Sequence, residues 1–502
     1  MPEPIRFGKI DVNLVSSLKE GRSVPDEETP FRMIVLGDFS GRANRGIVDP
    51  KIAIRKPLSV DRDNIDDILV KLGVEISLPI LGKDVAPVRL TFTGMEDFHP
   101  DRLYERVSLF DSVKDLRKSL KDPEVVAALA GRATPTPSAK EQAPPTQATG
   151  SLLDRIMDDA PDGKVADRPF QGEPQMQKFL KDITDPHLVA KAHPRQAELT
   201  TSVDEVAGEM MRRILHSPDF QALESLWRGL HFLAMRLDTD ENLRIYLLDV
   251  SKEELAADLM SSDDLTKTGI YKILAGEAVK TFGSEPWAVV AGQYRFGDDT
   301  GDVQLLGRMA RIAMVAGAPF ISAAVDMVLG CTSLAGTPDP DEWREPDGRQ
   351  AWEALRGLPE AGYLGLALPR FLLRLPYGEK TEPLENFPFE EMSDPPVHDD
   401  YLWGNPACAC AYLLGRAFLE EGWRFSPGQV SDLEGMPLHV YKDMGESVAK
   451  PCAEVALTER AARRIIDKGL MLLLSYRNQD VIRLARFQSL ADPPTNLGGR
   501  WG

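Results

Sequence analysis

Apolar and polar positions along the first 131 residues follow two different periods. Residues 31–37, FRMIVLG, form a continuous apolar run that predicts a buried strand, and residues 88–92 alternate as expected for a second strand. Between them, residues 65–72 repeat apolar side chains at i, i+3, i+4 and i+7, which is the spacing of one helix face. These elements predict a small α/β domain over residues 1–131.

The pattern in residues 201–502 is longer and alternates between helix and strand periods. Two amphipathic helices are predicted first, over residues 202–215 and 218–234. Strand-like runs such as 243–250 and helix-like runs such as 305–317 then alternate along the chain. Repeated alternation of this kind predicts a larger α/β domain with a mixed sheet and flanking helices.

A proline-rich linker over residues 132–150 separates the two patterns. Its sequence from residue 133, ATPTPSAKEQAPPTQATG, has four prolines and no large hydrophobic side chain, so burial cannot offset the entropy of ordering it. The larger unit is therefore predicted to span residues 151–502, with an N-terminal helix and further linker at 151–200 and its core at 201–502. We expect the two folded halves to pack on each other, because an edge of the small sheet would otherwise stay exposed.

A short apolar stripe follows the linker in the sequence SLLDRIM, with Ser151 available as a helix cap. A helix of this length is marginal alone, so the stripe either docks on the following domain or is offered to a groove on a partner. The stripe consists of Leu152, Leu153, Ile156 and Met157.

Residues 5–15, IRFGKIDVNLV, predict an extended N-terminal arm because apolar positions partly alternate there. Such a segment can add a strand to the sheet edge of a neighbouring chain, mainly through main-chain hydrogen bonds. We expect the arm to lie outside both cores and to contact a neighbour through Ile5, Phe7, Ile10, Val12 and Leu14.

Length and charge narrow the class of protein. A chain of 502 residues is too long for one core. The net charge of −19 argues against nucleic acid or an anionic membrane surface as the main partner, since both require a basic surface. No uncharged run is long enough to span a bilayer, and no basic segment followed by an apolar one opens the sequence as in a signal peptide. These features predict a cytoplasmic protein that does not insert in a membrane.

Two motifs that could carry a cofactor or a metal lack the residues they need. GDFSGRANRG follows the first strand but contains no GK[ST], and an extended segment comes next instead of a phosphate-binding helix. Cys408 and Cys410 form a C-x-C pair without a second pair of ligands, and the four cysteines are expected to be small buried hydrophobes. The sequence therefore predicts no cofactor and no metal.

Residues 368–407 combine an apolar run, broken by Pro369 and Pro376, with loops rich in aromatic rings, which predicts an interior or interface segment. A catalytic alternative would use Glu390 and Glu391 together with the arginines at 370 and 374. Adjacent carboxylates point in different directions, however, which is poor geometry for an acid and a base flanking one bond. An enzyme would also need a concave pocket with a second polar group nearby, whereas a structural protein predicts ion pairs or caps. We predict no catalytic residue.

The sequence resembles known proteins in several blocks that occur in one order. LPRFLLRLPYG, FPFEE, YLWGNPA, HSPDFQALESLWRGL and PCAEVALTER are similar to the large sheath subunit of bacterial type VI secretion systems. FRMIVLGDFSGR and VRLTFTGMEDFHPDRL resemble the small sheath subunit of the same system. The two resemblances meet at the proline-rich linker, so the chain is similar to a fusion of two subunits that are usually separate.

This resemblance implies a structural, non-enzymatic protomer of an oligomeric contractile sheath that surrounds or caps an inner tube and drives protein secretion. The implied partners are other sheath subunits or copies of this chain, the inner tube protein, baseplate proteins and a recycling unfoldase ATPase. In the family that ATPase grips a short helix at the start of the large subunit, so the stripe of Leu152, Leu153, Ile156 and Met157 inherits this role by resemblance.

Typical family members extend beyond the positions that correspond to the ends of the two halves here. The sequence therefore predicts a protein that is monomeric or forms short oligomers alone, and that enters larger assemblies beside partners. An accessory sheath-like protein at the baseplate or at the sheath end is the alternative with the same architecture. A monomeric regulatory binding module is a third class.

Overall fold

A computed structural model describes residues 6–9, 25–82, 85–120, 195–276, 285–345 and 348–501. A sheet of nine strands, flanked by helices, runs through the protein, so the predicted α/β class with a mixed sheet is confirmed. The strands are β1 (Phe31–Gly37), β2 (Leu58–Val60), β3 (Val74–Leu78), β4 (Val88–Phe92), β5 (Leu243–Asp249), β6 (Trp287–Phe296), β7 (Phe320–Ala324), β8 (Leu364–Leu368), β9 (Phe371–Leu372), β10 (Trp403–Gly404), β11 (Asp432–Leu433), β12 (Val440–Asp443), β13 (Glu446–Ala449), β14 (Met471–Ser475) and β15 (Ile482–Leu484). The α-helices longer than one turn are α1 (Ile65–Leu72), α2 (Pro100–Arg106), α3 (Asp111–Ser119), α4 (Arg195–Leu215), α5 (Pro218–Arg236), α6 (Lys252–Met260), α7 (Thr300–Ala316), α8 (Arg349–Arg356), α9 (Pro406–Glu421) and α10 (Glu459–Asp467).

The strand order of the large sheet is β11-β15-β14-β8-β7-β6-β1-β5-β2. The strands from β14 to β5 in this order are all parallel, whereas β2 and the pair β15 and β11 are antiparallel to their neighbours. Parallel strands are covered on both faces and therefore need nearly continuous apolar sequences. This requirement explains runs such as FISAA in β7 and LGLAL in β8, in which every residue is buried.

Strand β1 joins the two halves of the chain in one sheet. It pairs in parallel with β5 from Phe31 opposite Leu243 to Gly37 opposite Asp249, and its other edge pairs in parallel with β6. Strand β2 extends the same sheet beyond β5. The sequence predicted β1 as an element of the small N-terminal domain, and in the structure it lies inside the sheet of nine strands. The predicted division at residues 132–150 falls outside the described residues and stays a prediction.

Alternate side chains of β1 enter two cores on opposite faces of the sheet, as the two-residue period of a strand requires. Met33 and Val35 belong to the first core, which α5, α9 and the β3–β4 hairpin cover. Ile34 and Leu36 belong to the second core, which α6 and α7 cover. The N-terminal half therefore contributes to both cores.

Side-chain caps fix the first turns of several helices. Ser251 and Glu254 form a capping box at the start of α6, and Thr458 caps α10 by accepting a hydrogen bond from the backbone of Ala461. Residues 454–457, just before this cap, form no strand. Glu454 has a φ of 50°, a left-handed conformation that is uncommon for residues other than glycine.

Candidate functional site

Residues 368–378 and 401–407 are mostly buried between β8 and α9, whereas most of residues 379–400 are exposed or partly exposed, so the prediction of an interior segment holds for the two ends of this range only. β9 pairs with β10, which places Leu372 opposite Trp403. Leu372, Tyr401 and Trp403 form a small buried cluster of their own, and Tyr377 is buried in the first core. The ring-rich loops therefore fill space between regular elements, and they bring several charged side chains inside with them.

Arg374 is the centre of a buried ionic cluster. Its Nη1 and Nη2 donate to the two carboxylate oxygens of Glu391 at 2.7 and 2.9 Å, and its Nε donates to Glu224 of α5 at 2.9 Å. Glu224 also accepts a hydrogen bond of 2.7 Å from Arg228 Nε, and Glu391 accepts one of 2.7 Å from the backbone N–H of Tyr377. Both carboxylates are completely buried.

Pairing keeps this cluster ionised in spite of burial. Burial alone would raise the pKa of the Glu224 carboxyl, but the charges of Arg374 and Arg228 outweigh burial and lower this pKa. Burial likewise disfavours the cationic form of Arg374, but Glu224 and Glu391 hold the pKa of Arg374 well above its usual value. Bidentate arginine–carboxylate hydrogen bonds of this kind fix the relative orientation of the two side chains as well as pairing their charges. The cluster therefore links α5 to the loops that follow β9 through ion pairs.

The two candidate carboxylates point apart, as predicted. Glu391 is buried, whereas Glu390 is exposed and accepts a hydrogen bond of 3.0 Å from the backbone N–H of Glu379. Glu390 also lines two open grooves of about 520 and 320 Å³. Arg370 pairs with Glu454 while Arg374 pairs with Glu391, so the structure does not bring the four residues of the catalytic alternative to one site.

A second ionic cluster surrounds Glu454. Its Oε1 accepts from Arg370 Nε at 3.0 Å, and its Oε2 accepts from the backbone N–H of the same arginine at 2.9 Å. His398 Nε2 lies 3.1 Å from Glu454 Oε1, and Lys450 Nζ lies 2.8 Å from His398 Nδ1. These contacts hold Glu454 in its left-handed conformation, which costs free energy and persists only when the surroundings determine it.

Acidification is expected to remove the stability that Glu454 contributes. Burial acts to raise the pKa of its carboxyl, but hydrogen bonds from His398 and Arg370 outweigh burial and lower this pKa from 4.5 to about 2. A carboxyl whose pKa is lower in the folded chain than in the unfolded chain stabilises the fold at pH values above its unfolded pKa. As pH falls from 4.5 to about 2, roughly 3 kcal/mol of this stabilisation is lost. The melting temperature should therefore fall less steeply over this range in E454Q than in the unsubstituted chain. Equal slopes would contradict this assignment.

A third ionic cluster crosses from the N-terminal half to the C-terminal half and was missed from the sequence. Glu254 of α6 is completely buried and accepts from Arg55 Nη1 and Nη2 at 2.7 and 2.8 Å, and from Arg42 Nε and Nη2 at 3.2 and 3.0 Å. Arg42 also pairs with Asp249 at the end of β5. Burial would raise the pKa of Glu254, but the hydrogen bonds from Arg55 and Arg42 hold it far below its usual value.

A sequence signal for this third cluster existed. The glycine-containing loop after β1 was considered only as a phosphate loop, whereas it presents Arg42 to carboxylates at the ends of β5 and α6. Ser251 and Glu254 also have the spacing of a capping box, which puts Glu254 in the first turn of a helix, where its carboxylate accepts from the backbone N–H of Ser251. Parallel neighbours β1 and β5 end at the same edge of the sheet, so their following loops meet there.

Most of the predicted partner-binding residues lie outside the described residues. This applies to Leu152, Leu153, Ile156 and Met157, and to Ile5, Ile10, Val12 and Leu14 of the arm. Phe7 is described and packs against the second core of its own chain, over Gly307 of α7. The expectation that the arm lies outside both cores is therefore wrong for Phe7. Whether the arm contacts a neighbour stays a prediction.

Cysteine environments agree with the expected role as small buried hydrophobes. All four cysteines are free and buried, and burial raises the pKa of the Cys331 and Cys452 thiols to about 11. In the described ranges, no three His, Cys, Asp or Glu side chains are grouped to hold a metal ion. No helix in the same ranges is long and apolar enough to cross a membrane.

Comparison with known proteins identifies two family regions in this chain. Residues 197–491 match the family described as EvpB/VC_A0108, tail sheath N-terminal domain. Residues 7–132 match the family described as type VI secretion system, VipA, VC_A0107 or Hcp2. A Pseudomonas aeruginosa protein described as type VI secretion system sheath protein TssC1 is 36% identical over 305 residues, which cover 59% of this chain and 61% of that protein.

The match thus spans about three fifths of the length of the curated relative. The tail sheath region contains β5 to β15 and both carboxylates paired to Arg374, and the VipA-type region contains β1 and β2. The chain belongs to the EvpB/VC_A0108 tail sheath family, and it carries a VipA-type region ahead of the tail sheath region in the same polypeptide.

Proposed function

We propose that this chain is a structural component of the contractile sheath of a type VI secretion system, assembled in the cytoplasm from protomers that fuse both sheath regions. The observation that carries the proposal is the position of β1. This strand from the VipA-type region is hydrogen-bonded on one edge to β5 and on the other to β6 of the tail sheath region. A strand fixed on both edges cannot slide without breaking two ladders of hydrogen bonds. Such a protomer can transmit force as one body.

The ionic clusters support the same role. Arg42 and Arg55 from the VipA-type region bind Glu254 of the tail sheath region, so charge pairs cross the junction that β1 already spans. In this cluster and in that of Arg374, the carboxylates are satisfied by arginines of the same chain. Buried charges arranged in this way hold elements in register, which suits a protomer that must keep its shape while its neighbours move.

We further propose the partners that the family implies: other sheath subunits and copies of this chain, the inner tube protein, and an unfoldase ATPase that binds the stripe at 152–157. The base of the arm is held by its own chain, since Lys9 pairs with Asp264 and Phe7 sits over Gly307. The part of the arm left for strand addition to a neighbour is therefore residues 10–14. Ile10, Val12 and Leu14 are the apolar positions of that part.

Electron microscopy of the purified chain, mixed with separately produced type VI sheath subunits, tests this proposal. We expect the chain to enter tubular or ring-shaped assemblies. The variant I10P/V12P/L14P should keep its melting temperature but no longer enter these assemblies, because proline removes the N–H donors that strand addition needs. The matched variant I10A/V12A/L14A keeps those donors and should retain entry.

Two results would count against the proposal in different ways. If the unsubstituted chain never enters an assembly, the sheath role is wrong. If the proline variant enters as efficiently as the unsubstituted chain, the sheath role stands and the role of the arm is wrong. Long regular tubes formed by the chain alone would contradict the expectation of short oligomers.

A further inference from the structure

A cationic cavity of about 270 Å³ lies beside the second core, between α8, α10 and the short turn Asp326–Leu329. The chain as a whole carries a net charge of −19, but the described residues that line this cavity include five cationic side chains and three carboxylates. The described lining therefore has a surplus of two positive charges. The cationic residues are Arg344, Arg349, Arg356, Arg464 and Lys468.

The carboxylates at the cavity compensate only part of this charge. Glu345 and Glu353 both pair with Arg349, at 2.5 and 2.7 Å. Asp298 accepts a hydrogen bond of 2.7 Å from the backbone N–H of Gly348. Arg349 is thus paired with two acids, whereas no described carboxylate of the lining pairs as closely with the other four cations.

Backbone carbonyls hold three of the remaining cations in place without neutralising them. Arg356 Nε donates to Leu490 O at 3.0 Å, Arg464 Nη1 donates to Pro340 O at 2.8 Å, and Lys468 Nζ donates to Val328 O at 3.2 Å. Outside the lining, Asp492 lies 3.8 Å from Arg356 Nη1, and its side chain is largely exposed. These contacts preorganise the cations for a ligand that brings negative charge.

Two further observations indicate that the positive charges of the cavity call for an anionic ligand. Arg356 Nη2 is buried and has no hydrogen-bond partner among the described residues. Burial lowers the pKa of Lys468, and the neighbouring arginines 464, 356 and 349 lower it further. A buried donor without an acceptor and a lysine repelled by its neighbours are both relieved by an anion.

We propose that this cavity binds a small phosphate-type anion. Hydrogen phosphate brings two negative charges and pyrophosphate brings more near neutral pH, so either offsets the positive surplus of the described lining, and planar guanidinium groups with one lysine are the groups that recognise phosphate oxygens. The volume is below the range of about 300–1,000 Å³ typical of cavities for larger ligands, which favours inorganic phosphate or pyrophosphate. The bound ion would link α8, α10 and the turn Asp326–Leu329.

Isothermal titration calorimetry of the full-length chain tests the site, with inorganic phosphate and pyrophosphate as ligands and sodium chloride at matched ionic strength as the control. Succinate, a dicarboxylate of equal charge, tests the chemical class. We expect saturable binding of phosphate or pyrophosphate, together with a higher melting temperature at saturating ligand. R344Q and K468Q should weaken that binding at least tenfold. R483Q, which removes a cation that pairs with Asp432 and does not line the cavity, should not change it.

Arg344 is exposed, so the R344Q substitution should leave the fold intact. It therefore tests the site even if K468Q disturbs the fold. The proposal is overturned if no heat exceeds that of chloride, or if R344Q binds the ion as tightly as the unsubstituted chain. Binding of succinate as tight as that of phosphate would overturn the assignment to the phosphate class.

Discussion

Produced without residues 1–131, the larger half of the chain is expected to remain unfolded. The lost segment contains β1, whose Phe31, Met33, Ile34, Val35 and Leu36 are all completely buried. At roughly 1.5–3 kcal/mol for each such side chain, their burial is comparable to the whole stability of about 5–15 kcal/mol of a typical domain. The facing edges of β5 and β6 would also lose their hydrogen-bond partners. Circular dichroism and solubility of residues 151–502 measure this outcome.

Supplying the missing half in a separate chain provides the matched control. Co-production of residues 1–131 with residues 151–502 should restore one folded complex of equal stoichiometry, because no covalent link is needed to keep β1 between its neighbours. The intact chain cut by a protease within residues 133–150 should likewise elute from gel filtration at the volume of the uncut chain. Two separately eluting folded fragments would show that the halves are independent domains.

Replacing Arg374 by methionine is expected to destabilise the protein by about 3–5 kcal/mol, since removing one partner of a buried ionic cluster leaves the other charges unpaired. Both carboxylate oxygens of Glu391 would lose their hydrogen bonds from Arg374, whereas Glu224 would keep its hydrogen bond from Arg228. Urea unfolding followed by fluorescence measures this loss. The cost should appear as a lower midpoint with an unchanged slope.

Two comparison variants separate the effect of charge burial from the effect of substitution itself. R483M breaks a partly exposed pair with Asp432 and should lower the urea midpoint much less than R374M does. The double variant R374M/E391Q should recover part of the loss, because the remaining Glu224 still has Arg228 and no buried carboxylate is left alone. A double variant less stable than R374M would contradict this account of the cluster.

The elements were easier to predict than their neighbours in the sheet. The run FRMIVLG indicated a buried strand, and β1 occupies those residues. Its pairing with β5 and β6 joins residues more than two hundred positions apart in sequence, and local periodicity contains no information on such partners. Which strands of the two units pair with one another could therefore not be predicted from the sequence.

The ionic clusters show a different limit of sequence reasoning. A glutamate is almost never fully buried unless it is paired. The sequence does not identify the pairing partners of Glu390 and Glu391, so the hydrophobic pattern does not indicate which of the two is buried. The structure separates them because the loop after Phe389 turns one carboxylate toward Arg374 and leaves its neighbour exposed. Only the argument that adjacent carboxylates diverge could be made beforehand, and it was confirmed. The identity of each partner depends on tertiary contacts that span up to 212 positions, as between Arg42 and Glu254.

The central position of β1 also has a consequence for synthesis on the ribosome. β1 leaves the ribosome early, but both strands that flank it are encoded after residue 242. At translation rates of roughly 5–20 residues per second, the apolar strand waits on the order of 10–50 s for its partners. Closing a long loop costs little more than closing a short one, since the entropic cost rises only with the logarithm of length. Because both regions belong to one nascent chain, this docking step is unimolecular, and its rate does not depend on how much protein the cell makes.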